Sequence, residues 1–205
     1  MRPALPLALL LGTVACDQVT PPDRPAPYQF TIRLEDGFPI VFRWPAASLP
    51  VRVWAEPALS VEEYVTEALS LWKDGVLYAE VSGVLVQDSS QADVLIRLQP
   101  GPQTSSGTAC TSWTFYAVTL DTVIELPFRT LLEPRAGAAS QDLHDCLRQA
   151  VAHELGHTFG LLLESDDPGD LMYPGPSPRG LSPRDVATLE TLYHTRPTVR
   201  IPAGR

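Results

Sequence analysis

From Tyr28 onward the chain alternates between apolar and polar residues. In "YQFTIRLEDGFPIVFRW" the alternation runs on both sides of Asp36-Gly37, which predicts a hairpin. "LPVRVWAE" (49–56) predicts a second strand, with Val51 and Val53 on one face. The period then becomes helical. In "SVEEYVTEALSLWKDGV" the residues Val61, Tyr64, Val65, Ala68, Leu69 and Trp72 form one apolar stripe. Ser60 is the expected N-cap of this helix, with Glu63 completing a capping box. "YAEVSGVLVQ" and "ADVLIRLQ" return to strand character, the latter with the dense apolar pattern of an interior strand. A helix between strands predicts a crossover and parallel pairing. Residues 100–112 read as a loop, "WTFYAVTL" as an edge strand and "TVIELPF" as the strand returning from it. Ser140 opens a second helix, with Leu143, Leu147, Ala150, Val151 and Leu155 at helical spacing, expected to stop near Gly160. The last helix, "SPRDVATLETLYH", has Ser182 as N-cap, Pro183 at its first position and Asp185 in its first turn. The expected fold class is α+β, with a mixed sheet and three helices. Tyr64, Trp72 and Trp54 lie on core patterns and are expected to pack.

Composition adds bounds. With 205 residues, 44% of them hydrophobic, the chain suits one domain with a real core. Its net charge of −9 argues against a nucleic-acid partner. Residues 1–16, "MRPALPLALLLGTVAC", read as a targeting segment: Arg2 supplies the positive start, Ala4 to Leu11 the apolar stretch and Thr13-Val14-Ala15 the cleavage region. The apolar stretch is too short to span a bilayer. The end of the segment resembles a bacterial lipoprotein signal, which implies lipid on Cys16 and anchoring to an envelope membrane. Thr13 departs from the usual Leu, and simple cleavage after Ala15, giving a secreted protein, is the alternative. Lipid on Cys16 leaves Cys110 and Cys146 as a pair, and an exported setting favours their disulfide. Residues 17–27, with four prolines, read as a tether, residues 28–197 as the domain and 198–205 as a tail.

The chemistry is concentrated in "HELGHTFGLLLESDDPGDLMYP" (153–174). His153 and His157, four apart, share a helix face, so both imidazoles can reach one zinc ion at about 2.0–2.1 Å. Glu154 can reach a water on that metal without binding the metal itself, which is the general-base arrangement of metal-assisted peptide hydrolysis. Gly156 and Gly160 cost the helix about 1 kcal/mol each relative to Ala, a cost that ordinary core packing does not explain. Gly160 is expected to take a positive φ, end the helix and turn the chain back.

"AVAHELGHTFGL…DPGDLMYPG" resembles the metzincin zinc metallopeptidases, and within them the matrixin-like branch, whose signature is H-E-x-x-H-x-x-G-x-x-H followed by a Met-turn. "LPVRVWAE", "ADVLIRLQ" and "GLSPRDVATLETLY" resemble the corresponding elements of bacterial matrixin-like domains. The resemblance implies a zincin-like fold: a twisted, mostly parallel sheet with an antiparallel edge strand, an active-site helix, a Met-turn and a C-terminal helix. It implies His153 and His157 as zinc ligands, Glu154 as the catalytic base, Met172 as the apolar floor and Tyr173 after it.

The chain departs from the signature at the third ligand. Three residues beyond Gly160 stands Leu163; counting back from Met172 by the family's interval gives Glu164. Carboxylate oxygen binds zinc well, at about 2.0–2.2 Å, so Glu164 is the expected third ligand. Asp166, Asp167 and the absence of a ligand are the alternatives. His144, nine residues before His153, falls on the opposite helix face, and His194 ends the last helix, expected to be exposed. Asp167-Pro168-Gly169-Asp170 reads as a solvated turn, with weak Ca2+ binding possible but unsupported.

The expected function is zinc-dependent endopeptidase action by Glu-assisted attack of a zinc-bound water, on a peptide lying extended along an edge strand within 113–120. The expected protein is a monomer. The alternative is an inactive metzincin-fold binding lipoprotein lacking a full ligand set.

Overall fold

The computed structural model describes residues 25–78, 80–100, 108–175 and 178–202. The expected targeting segment, Cys16 and most of the expected tether lie outside the described residues.

Ten elements follow in order: β1 (Ile32–Arg33), β2 (Pro39–Ile40), β3 (Val51–Ala55), α1 (Val61–Gly75), β4 (Gly83–Leu85), β5 (Val94–Leu98), β6 (Cys110–Phe115), β7 (Phe128–Pro134), α2 (Ser140–Thr158) and α3 (Pro183–His194). The fold is α+β. A short antiparallel β1–β2 hairpin turns at Asp36-Gly37, and a five-stranded sheet runs β4-β3-β5-β7-β6. Its first four strands are parallel and β6 alone is antiparallel, paired with β7 at the edge.

Residue alternation explains the sheet. Val51, Val53, Val94, Ile96, Phe128 and Leu132 are fully buried on one face, while their strand neighbours, except the buried Glu133, are half-buried or exposed. Helix α1 presents its expected stripe, all six residues buried. Helix α2 packs against α1, β6 and β7. Trp72 donates its indole N–H to Ala152 O, and Trp44 donates to Thr158 O, both at 2.8 Å. Both indoles therefore bury fully and still hydrogen-bond to helix α2. A disulfide joins Cys110 on β6 to Cys146 on α2, with the Cα atoms 5.8 Å apart.

Several local expectations are corrected. Ser60 stands at the N-cap of α1 as expected, but Leu59 and Ser60 both have positive φ and no side-chain cap bond forms, so there is no capping box with Glu63. The edge strand starts at Cys110 and ends at Phe115, so it lies partly in the expected loop and not across 113–120. The returning strand is Phe128–Pro134, not residues 122–128. Residues 122–128 instead hold two isolated bridges, Val118 with Ile124 and Val123 with Arg200. The second bridge joins the expected tail to the domain. Thr198 accepts from Val41 N and donates to Pro39 O, and Val199 is buried. At α3 the expectation holds: Ser182 accepts from the Arg184 and Asp185 amides, and the Asp185 carboxylate accepts from Ser182 N–H in return. No helix among the described residues is long and apolar enough to cross a membrane.

Candidate metal centre

Helix α2 ends one residue before Phe159, and Gly160 has φ +112°. A Cβ built on Gly160 would lie 2.3 Å from Phe42 O, so the turn needs both the positive φ and the absence of a side chain. The chain folds back through Leu161 and Leu162, both buried, and delivers Glu164 to the helix face carrying His153 and His157.

Three donor atoms, one from each of these residues, lie within 4.8 Å of one another. Glu164 bridges the imidazoles: Oε2 is 3.2 Å from His153 Nε2, and Oε1 is 3.3 Å from His157 Nε2. The far nitrogens are tied to main chain. His153 Nδ1 lies 2.8 Å from Leu171 O, and His157 Nδ1 lies 2.6 Å from Leu161 O. A carbonyl only accepts, so each Nδ1 carries the proton, and the neutral ring turns the lone pair of Nε2 toward Glu164. Acceptor atoms facing one another at this range require a shared cation or added protons. Without a cation, protons take that place. Burial works against the charged form of His153, but the hydrogen bond and charge of Glu164 raise its pKa overall. Burial pushes the Glu164 carboxyl up, yet hydrogen bonds from His153 and His157 and their charge bring it down to about 2.

Glu154 is buried and accepts a 2.6 Å hydrogen bond from Thr114 on β6. Thr114 is a functional candidate that the sequence reading passed over. The one hint there is a polar residue between Trp113 and Phe115 in a strand. Met172 is fully buried beneath α2. A Cβ on Gly156 would sit 2.3 Å from Met172 Sδ and 2.7 Å from Trp72 Cζ2, so this glycine makes room for the residue beneath the histidines. Tyr173 lines a cleft of about 780 Å³ together with His153, Glu154, His157 and Glu164, and β6 forms one wall of that cleft.

The remaining carboxylates are engaged elsewhere. Asp166, the alternative ligand, is 2.8 Å from Arg184, as an exposed pair. Arg184 also reaches Asp167 at 3.4 Å and Asp170 at 3.3 Å, so a guanidinium supplies the positive charge among these carboxylates. Asp170 is not solvated as expected: it is buried and accepts hydrogen bonds from Ser165 and Ser182. Asp185, fully buried, accepts from Leu171 N and Ser182 N, and from the Tyr28 hydroxyl. Together these bonds fix the Met172 loop to the start of α3. His144 hydrogen-bonds Tyr64 away from the cluster, and His194 is exposed.

No known family matches the chain, and no characterised protein matches it in sequence.

Proposed function

We propose that the chain is a zinc-dependent endopeptidase of the metzincin type, resembling the matrixin-like branch. The observation that carries this reading is the convergence of His153, His157 and Glu164 beside the buried Glu154, in a cleft walled by an antiparallel edge strand. Two imidazoles and one carboxylate suit zinc in a catalytic site, where a fourth position stays open. These three residues would hold the ion, with Leu161 O and Leu171 O fixing the ring orientation. Bound zinc supplies a Lewis acid that polarises a carbonyl and acidifies water.

The chain's own residues supply the rest. Glu154 takes a proton from the attacking water and returns it to the departing amine. The outer edge of β6, unpaired among the described residues, offers main-chain groups to an extended peptide, which adds as a further strand. Met172 closes the floor and excludes water from below. Export and lipid anchoring through Cys16 belong to the same proposal, as an envelope setting for a monomeric peptidase.

The test is zinc content and cleavage of an unstructured protein substrate by the purified chain, with Glu164→Ala and Glu154→Gln beside it. Glu164→Ala should lose zinc, and its affinity should fall by more than the roughly 10–100-fold typical of outer partners. Glu154→Gln should keep zinc and lose cleavage. Full zinc occupancy in Glu164→Ala, or cleavage surviving in Glu154→Gln, contradicts the reading.

A further inference from the structure

We propose that Thr114 is a positioning residue for the Glu154 base and that Thr130 orients Thr114 in turn; this rests on the peptidase reading above. Glu154 carries a flexible side chain whose carboxylate must be aimed to take a proton. Helix α2 fixes its backbone but not the end of its side chain. The bond that does so comes from across the cleft, where Thr114 Oγ1 lies 2.6 Å from Glu154 Oε2.

A carboxylate only accepts, so the single hydroxyl proton of Thr114 is committed to Glu154. Thr114 Oγ1 also lies 2.7 Å from Thr130 Oγ1, and that second bond must therefore run from Thr130 to Thr114. Thr130 is fully buried on β7 and is the register partner of Thr114. Both residues are β-branched, with few χ1 choices, so the two hydroxyls form a stiff rail from the sheet interior to the base. Among the described residues no donor reaches Glu154 Oε1. One oxygen is thus held while the other stays free for proton transfer. The strand that holds the base is also the strand against which the peptide is proposed to lie, so substrate docking and base alignment share one element.

The test compares Thr114→Val, Thr114→Ser and Thr130→Val with the unaltered chain, by steady-state kinetics, zinc content and crystal structures. Thr114→Val keeps the side-chain shape and removes the hydroxyl. It should lower kcat about 10–100-fold, with KM within about twofold and zinc content unchanged. Thr114→Ser should restore most of kcat, and Thr130→Val should show a smaller fall. In crystals, Glu154 should hold one conformer in the unaltered chain and several in Thr114→Val. Unaltered kcat in Thr114→Val, or a single unchanged Glu154 conformer in that variant, overturns the proposal. If the unaltered chain binds zinc but cleaves nothing, the peptidase reading fails, and the crystal comparison alone then decides whether Thr114 holds Glu154.

Discussion

Gly156 and Met172 share one volume: a methyl group on the glycine would stand 2.3 Å from the methionine sulfur. A helix interior favours Ala over Gly by about 1 kcal/mol, and, contrary to the expectation from sequence, close packing against Met172 and Trp72 accounts for that cost. Gly156→Ala is therefore expected to destabilise the protein by about 1–3 kcal/mol, because overpacking outweighs the propensity gain. Trp72, rigid and 2.7 Å away on the other side, limits relaxation. Urea unfolding measures this, and a more stable variant would show that Met172 yields easily.

Stripping the proposed zinc should expose a pH signature. Glu164 is held below its usual 4.5, so its stabilising contribution is present above that pH and lost as pH falls toward about 2. His153 is raised above its usual 6.5, so its contribution is complete below that pH and lost as pH rises through the raised value. Metal-free protein should therefore exceed a metal-free Glu164→Gln variant in stability most clearly between pH 4.5 and 6.5. Since Glu164 is 42% exposed, the difference should be under about 1 kcal/mol. Chelator-treated samples unfolded in urea across pH give the answer, and a difference independent of pH would exclude the ion-pair account. Zinc must displace the same proton, so its affinity should rise with pH over that range.

Asp185 gathers the Met172 loop, the α3 cap and the start of the domain onto one buried carboxylate. Asp185→Ala leaves the Leu171 and Ser182 amides unpaired and should cost about 3 kcal/mol or more. Tyr28→Phe removes one donor only and should cost about 1 kcal/mol. Equal costs for the two would mean that the loop is held by packing and not by Asp185.

The disulfide closes a loop between residues 36 apart in sequence. Chain entropy puts its contribution at up to about 4 kcal/mol. The paired change Cys110→Ser with Cys146→Ser should lower the unfolding midpoint accordingly and loosen β6 from α2, raising KM for peptide. Calorimetry with and without reductant tests the stability, and an unshifted midpoint would show that the α2–β6 packing suffices.

What was legible in the sequence follows from the range of the causes. The α3 cap is local, with Ser182 and Asp185 three apart, and it was read correctly. Strand β6 forms only because β7 lies beside it, so its start in a Ser/Thr/Gly-rich stretch gave no local sign. Strand β7 does alternate, with Phe128, Thr130 and Leu132 buried, but the apolar run just before it drew the reading to residues 122–128. At the site, the histidine spacing and the count back from Met172 pointed to the cluster the structure assembles. Asp166 pairs with Arg184, 18 residues away, a contact that no local spacing shows. Thr114 meets Glu154 across 40 residues, and no spacing rule reaches that far.

Each imidazole has its Nδ1 anchored on a main-chain carbonyl, that of residue 161 or 171, while its Nε2 faces Glu164. The aim of the site is therefore blind to which apolar residue stands at either position, provided that it fills the volume. Composition can drift at these two positions at little chemical cost, while a single insertion or deletion between them would rotate a histidine and displace Glu164 together. Ordinary surface loops tolerate changes of length. In this one, length is what the chemistry inherits.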